Sequence, residues 1–185
     1  MSFPASTTYL HRRTTKTFQE ALASQTGRSC ILEFDGACKG NPGPSGAGAV
    51  IRSPDGILLY RVREVLGVAT NNVAEYRAMI LGLRYALSKG FTNICVAGES
   101  KLVCKQIQGL WRVRNENISK WYEEAKKLKD EFLFFQVYHV LRDKNAAADA
   151  QANLAVLLEV GEVQEEEINI YKKESQSQQP MTISA

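Results

Sequence analysis

Histidine is scarce in this chain of 185 residues, which contains only His11 and His139. The chain also has four cysteines, and no two of them form a CxxC pair. Together these residues complete no zinc-binding pattern. We therefore expect reduced thiols that pack in the core, as in a protein of a cytosol-like compartment.

Long apolar runs are also missing. The longest candidates, Leu154 to Val160 and Phe132 to Val137, are far shorter than the roughly 18 to 20 residues that a membrane helix needs. The sequence shows no internal repeat. With 44% hydrophobic and 23% charged residues, the composition predicts one globular domain with short extra ends and no contact with a membrane.

Charge is distributed unevenly along the chain. Residues 29–158 carry 17 basic and 13 acidic side chains, which suits a polyanionic partner. Residues 1–28 are rich in Ser, Thr and Arg, so we expect a flexible leader. That leader could direct the chain to a mitochondrion or chloroplast, or simply precede a nuclear or cytoplasmic domain. Residues 159–185 turn acidic and then Gln/Ser-rich, which predicts a disordered tail.

The periodicity of apolar residues predicts the order β-β-β-α-β-α-α-β-α within residues 29–158. The predicted strands are Ser29–Asp35, Gly46–Arg52, Ile57–Glu64, Asn93–Ala97 and Phe132–Val140. The predicted helices are Asn72–Lys89, Ser100–Gly109, Ile118–Asp130 and Asn145 to about Val160. Short turns, the first of which is the glycine-rich turn Gly36 to Ser45, make the first three strands antiparallel, whereas βαβ steps require parallel pairing. The sequence therefore predicts an α/β fold with a five-stranded mixed sheet flanked by helices.

Four carboxylates fall at the ends of predicted elements: Asp35, Glu75, Glu99 and Asp149. Ligands of open α/β sheets gather at the carboxyl ends of the strands, so these acids are candidates for one site. Simpler explanations exist for three of them. Glu75 could form a capping box with Asn72, and acids near helix starts are favoured by the helix dipole. Asp35 is harder to explain, because an unpaired charge on a buried strand is costly.

If these carboxylates converge, they require bound cations. Two carboxylates about 4 Å apart repel each other by about 4 kcal/mol at an effective dielectric constant of 20. Ligand sets made only of oxygen favour hard cations such as Mg²⁺ or Mn²⁺. A pair of such ions is a known device for cleaving phosphodiesters.

Four segments of the chain resemble the successive motifs of type 1 ribonuclease H. They begin at Phe34, Thr70, Gly98 and His139 and read FDGACKGNPGPSGAG, TNNVAE, GESKLV and HVLRDKNAAAD. The resemblance covers about residues 29–158. It implies a ribonuclease H-like fold and an endonuclease that hydrolyses the RNA strand of RNA/DNA hybrids with two Mg²⁺ ions, or with Mn²⁺. It implies neither a membrane nor an obligate protein partner, and we expect a monomer.

The resemblance also assigns roles to individual residues. It makes Asp35, Glu75, Glu99 and Asp149 the catalytic metal ligands. It places His139 where some members have a histidine that helps to release product, although His139 could instead pack at the end of the fifth strand.

The substrate-binding candidates are Gly36, Asn41, Asn71, Asn72, Ser100, Lys101, Trp111 and Asn145. Small residues let backbone amides approach phosphates, and asparagines can bind the sugar hydroxyls of a shallow minor groove. A helix start can hold a phosphate, and a basic-aromatic cluster suits the DNA strand. The same residues could equally form a tight hairpin turn, a helix cap and a solvated loop.

Glu99 departs from the family pattern, in which this motif usually carries Asp. The extra methylene displaces the carboxylate by roughly 1.5 Å, whereas Mg²⁺ demands near-ideal geometry. We therefore expect a weakened enzyme that prefers Mn²⁺. The alternative is a catalytically weak or inactive module that binds hybrids or RNA. Another nuclease or transferase of the same superfold fits the asparagine pair and the glycine loop less well.

Overall fold

The computed structural model describes residues 17–168. A first helix covers residues 17–23 of this range (α1). The strands are β1 (Ser29–Cys38), β2 (Gly43–Arg52), β3 (Leu58–Ala69), β4 (Asn93–Gly98), β5 (Phe134–His139) and β6 (Val163–Glu167). The further helices are α2 (Asn71–Ser88), α3 (Lys101–Ile107), α4 (Glu116–Asp130) and α5 (Ala146–Ala155), and a short 3₁₀ turn spans Arg142–Lys144.

The strands form one mixed sheet in the order β5-β4-β1-β2-β3-β6. Strands β1, β2, β3 and β6 pair antiparallel, whereas β4 pairs parallel with both β1 and β5. The predicted mixed α/β sheet is confirmed, including its antiparallel opening and the parallel strands that follow. Because β1, β4 and β5 run in the same direction, their carboxyl ends lie at one edge of the sheet.

Helices cover both faces of the sheet. Leu32 and Phe34 of β1 point into the main core, which includes the buried side of α2 and parts of α3 and α4. On the opposite face, α5 lies over β2, and α1 contacts a smaller cluster around Ile31. The alternation of side chains along β1 thus places residues 31, 33 and 35 on the face that α5 covers.

The prediction of five strands is wrong, because β6 adds a sixth at the edge of β3. The composition of residues 159–185 predicted a disordered tail, since it offers little apolar surface. An edge strand needs little apolar surface, because polar side chains can hold it. Arg61 of β3 pairs with Glu166 at 3.0 Å, and the Arg63 guanidinium donates to Gln164 at 2.9 Å. The prediction for residues 169–185 lies outside the described residues.

The prediction of a flexible leader is also wrong for residues 17–23, which form α1. Phe18 and Leu22 of α1 are buried and pack with Ile31, Cys95 and Val140 on the same face of the sheet as α5, in the part that α5 does not cover. The signal was present in the sequence, because Phe18 and Leu22 have the spacing of one helix face. Residues 1–16, and with them any targeting segment, lie outside the described residues. Within residues 17–168, no helix is both long and apolar enough to cross a membrane.

Candidate active site

A cleft of about 360 Å³ opens where β1 and β4 approach their carboxyl ends. It is lined by residues of the glycine-rich turn and by the starts of three helices. The predicted site residues in its wall are Asp35, Gly36, Asn71, Asn72, Glu75, Glu99, Ser100 and Asp149. The structure therefore brings all four predicted carboxylates to one cavity.

The register of the parallel strands places Asp35 beside Glu99. Phe34 of β1 pairs with Gly98 of β4, and each of the two acids directly follows one of these partners. Asp35 is only 5% exposed. Two carboxylates thus leave neighbouring strands at the same level of the sheet.

A close approach of α2 to β1 brings in Glu75. A Cβ atom at Gly36 would lie 2.4 Å from the backbone carbon of Ala74, so only glycine lets the helix come this near. The Glu75 carboxylate accepts a hydrogen bond from the Gly36 backbone N–H, and Glu75 lines the cleft. Gly36 therefore acts here through its missing side chain.

We expect Gly36→Ala to destabilise the protein by about 1 to 3 kcal/mol, because the added methyl group meets backbone atoms that cannot give way cheaply. The displaced helix should also carry Glu75 out of position and lower activity. Urea unfolding measures the first effect. Gly67→Asn is the control, because Gly67 has a left-handed φ of +68° that Asn tolerates and faces open space. Equal stability of the Gly36→Ala variant and the wild type would contradict the close approach.

A second close approach, at Gly48, positions Asp149 over the sheet. Gly48 of β2 pairs with Asp35, and a Cβ at Gly48 would lie 2.2 Å from the Ala152 nitrogen of α5. Helix α5 therefore rests directly on the strand next to Asp35. Asp149, in the first turn of α5, faces the cleft.

The carboxylates disfavour one another's charge. Burial, followed by the nearby charges of Glu99 and Asp149, raises the pKa of Asp35 from 3.8 to about 7. Burial also raises the pKa of Glu75 well above its ordinary value, and Asp35 adds to this effect. Burial raises the pKa of Glu99, and the Arg142 guanidinium opposes the rise. The site holds more negative charge than its surroundings neutralise.

These residues fit a hard divalent cation by their chemistry. The donors are all carboxylate oxygens, and two buried oxygens, Glu75 Oε2 and Glu99 Oε1, have no hydrogen-bond partner among the described residues. As the side chains stand, no group of three or more acids, histidines or cysteines in residues 17–168 is arranged to hold an ion. The donor set suits the metal, and the carboxylates must draw together to coordinate it.

The raised pKa of Asp35 predicts an inverse dependence of stability on pH. The folded protein binds this proton more tightly than the unfolded chain, so without divalent metal the free energy of unfolding should fall as the pH rises from about 4 to 7. Thermal unfolding in EDTA between pH 5 and 8 measures this fall, and Asp35→Asn should make it shallower. A wild type that becomes more stable than the variant as the pH rises would contradict the prediction.

The asparagines at the rim are free to meet a substrate. The N-cap of α2 is Thr70, whose hydroxyl accepts from Val73 N at 3.4 Å, so the capping explanation of Asn72 and Glu75 is wrong. Asn41 instead accepts a hydrogen bond from the Asn71 backbone at 3.0 Å, which ties the glycine-rich turn to the start of α2. The side chains of Asn71 and Asn72 remain exposed at the cleft.

Five predicted site residues lie outside the cleft wall: Asn41, described above, and Lys101, Trp111, His139 and Asn145. Lys101 packs its ammonium 5.9 Å from the ring centre of Trp111, which is 46% exposed. His139 is exposed at the end of β5, level with Gly98. Asn145 is fully buried and donates to the Phe34 carbonyl, so it offers no surface to a substrate. Ser100, within the wall, caps α3 by accepting from Val103 N at 3.3 Å.

Known proteins are similar to this chain over the residues that form the sheet and the cleft. A family model described as reverse transcriptase-like matches residues 33–155. The crystal structure of RNase H1 from the halophilic archaeon Halobacterium salinarum is similar with a TM-score of 0.68 and 39% identity, covering 69% of this chain and 97% of that chain. The chain belongs to the type 1 ribonuclease H family.

Two further relatives in this ribonuclease H family show the extent of the similarity. LC11-RNase H1, solved in complex with an RNA/DNA hybrid, matches with a TM-score of 0.66 and 33% identity, covering 69% of this chain and 96% of that chain. A bifunctional protein of Mycobacterium tuberculosis is 41% identical over 127 residues, or 68% of this chain and 35% of its own length. The chain thus spans about a third of the mycobacterial relative that it matches.

Three charged or amide side chains in the cleft of this ribonuclease H domain, those of Arg142, Lys39 and Asn153, escaped the prediction from sequence. Arg142 lies 3.8 Å from Glu99 and 3.5 Å from Asp149. Lys39 donates to Asn153 at 3.0 Å across the cleft. The only signal was indirect: Arg142 precedes Asp149 by seven residues in a charged segment, which does not show that its side chain turns back.

Proposed function

We propose that this chain is an endonuclease that hydrolyses the RNA strand of RNA/DNA hybrids with two divalent cations, Mg²⁺ or Mn²⁺. One observation carries the proposal: four carboxylates of a type 1 ribonuclease H domain meet in one cleft and leave two buried oxygens unpartnered. Bound cations would relieve the mutual repulsion of these carboxylates.

The carboxylates would divide the work of holding the cations. Asp35, whose pKa is raised by both Glu99 and Asp149 as well as by burial, would help to hold both cations. Glu75 and Glu99 would help to hold one of them, and Asp149 would help to hold the other. When bound, two such cations supply an activated water and stabilise the leaving oxygen of a phosphodiester. The products would carry 3′-hydroxyl and 5′-phosphate ends.

Recognition of the hybrid would depend on the rim of the cleft. Asn71 and Asn72 project amides at the level of the carboxylates, where they can bind 2′-hydroxyls and base edges in a shallow minor groove. Asn41 holds the Asn71 backbone in place. These contacts would select RNA for the strand that enters the cleft.

The DNA strand would run over the neighbouring basic surface. Ser100 and Lys101 stand at the start of α3, and the exposed Trp111 ring packs against Lys101. Cationic and aromatic groups together suit a sugar-phosphate backbone. His139, exposed beside the site, is suited to move a proton or to help product leave.

A panel of duplexes tests this function. The full chain is incubated in Mg²⁺ with a hybrid labelled on either strand, and with duplex RNA and duplex DNA of the same sequence. We expect cleavage of the RNA strand of the hybrid alone, with internal products that end in 3′-hydroxyls. Cleavage of duplex RNA at the same rate as the hybrid would contradict the proposed specificity for RNA paired with DNA.

A non-catalytic module that binds hybrids is the second candidate. It is favoured by Glu99 in place of the usual Asp and by carboxylates that are not yet arranged to hold an ion. This candidate predicts a duplex panel in which the hybrid binds without being cut. Turnover distinguishes the two functions, whereas affinity does not.

A further inference from the structure

We infer that Asn145 is a positioning residue that sets the spacing of three carboxylates, Asp35, Glu99 and Asp149. This inference rests on the proposed function, since it concerns how the same site is held ready for its cations. Asn145 itself touches neither substrate nor metal, because its side chain is completely buried.

Asn145 joins the end of β1 to the start of α5. Its Nδ2 atom donates to the Phe34 carbonyl at 2.9 Å, one residue before Asp35. Its own backbone carbonyl accepts from the Asp149 N–H at 3.0 Å. Two of the four acids are thus linked through one residue, although they are far apart in the sequence.

The side chain of Asn145 makes this link and does not cap helix α5. Asn145 is the N-cap residue of α5, a position where asparagine usually accepts a hydrogen bond from the first turn of the helix. No such side-chain bond is formed here. Its Oδ1 atom is buried and has no partner among the described residues, which lowers stability. A residue that leaves its buried amide oxygen unpartnered at a cost in stability is better explained by the site than by the fold.

Asn145 is also linked to the strand that carries the third carboxylate. Phe34, whose carbonyl accepts from Asn145, pairs with Gly98 of β4, the residue directly before Glu99. The contact therefore holds the level at which Asp35 and Glu99 follow their strands. Without Asn145, mutual repulsion would let the three carboxylates spread.

The test compares two buried asparagines in the full chain. Asn145→Leu keeps the size of the side chain and removes its amide. Asn93→Leu is the matched control, because Asn93 is equally buried and donates to a backbone carbonyl, that of Thr26, at 2.8 Å. Asn93 begins β4, at the end of the strand away from the cleft. Free Mn²⁺ is measured by electron paramagnetic resonance, and hybrid cleavage is measured in parallel.

We expect Asn145→Leu to weaken Mn²⁺ binding and to lower kcat, each by about 10- to 100-fold. Asn93→Leu should lose stability while its Mn²⁺ affinity stays within about twofold of the wild type. Asn145→Ser, which is smaller and polar, serves as a second variant if Asn145→Leu does not fold. Unchanged Mn²⁺ affinity in a folded Asn145 variant, beside a wild type that binds Mn²⁺, would overturn this inference alone. A wild type that binds no Mn²⁺ and cleaves nothing would overturn the proposed function itself.

Discussion

Asp35→Asn is expected to abolish hybrid cleavage and yet to make the metal-free protein more stable. Cleavage should fall by at least about a thousandfold, because metal ions supply several kcal/mol of transition-state stabilisation and Asp35 is one of the four proposed metal ligands. Stability should rise because the pKa of Asp35 is about 7, so that at pH 8 the wild type carries a buried charge which its neighbours repel. In EDTA at pH 8, Tm should increase by about 3 °C for each kcal/mol of repulsion removed.

The matched control is Asp143→Asn. Asp143 is exposed in the turn before α5 and pairs with Lys144 at 3.3 Å, outside the cleft wall. Its replacement should leave cleavage within about twofold of the wild type and change Tm little. Loss of cleavage without any gain in stability would mean that Asp35 lies in a neutral environment, which contradicts the described cleft.

Glu99→Asp is expected to raise activity in Mg²⁺ by up to about a hundredfold. Shortening the side chain removes a displacement of the kind that costs about that much in rate when reacting groups are held about 1 Å out of place. It should raise activity less in Mn²⁺, which we take to be less demanding of geometry than Mg²⁺. The ratio of kcat in Mg²⁺ to kcat in Mn²⁺ is therefore the quantity to measure.

Glu33→Asp provides the comparison for that ratio. Glu33 lies on β1, two residues before Asp35, and its half-buried carboxylate pairs with Arg52 at 2.8 Å. Shortening it should weaken this ion pair without altering the preference for metal. If the wild type is already as active in Mg²⁺ as the Glu99→Asp variant, then the extra methylene is accommodated and Glu99 is an ordinary ligand.

Much of the fold followed from local patterns in the sequence. The glycine-rich turn was expected to span Gly36 to Ser45, but both strands continue into it, because Gly36 and Gly43 pair within the sheet as other strand residues do. Strand β6 was missed because an edge strand held by arginines needs no apolar alternation. Helix α1 was missed because its apolar positions are few and stand in a polar leader.

The candidate site could be predicted as a set of acids but not as a geometry. The four acids could be found because each lies at the end of a predicted strand or at the start of a predicted helix. The order of the strands then determines which of these ends meet. The acids are Asp35, Glu75, Glu99 and Asp149. The sequence did not show that Asn145 turns inward, because an asparagine before a helix predicts a cap. Such contacts depend on side-chain directions that arise only when β1 and α5 pack together.

The most direct test of the account is cleavage of a hybrid labelled on its RNA strand by the full chain, in Mg²⁺, in Mn²⁺ and in EDTA, beside Asp35→Asn. The account predicts RNA products with both metals, more with Mn²⁺, none in EDTA and none with Asp35→Asn. A hybrid that binds to the wild type but stays intact with either metal would contradict it and establish the non-catalytic module.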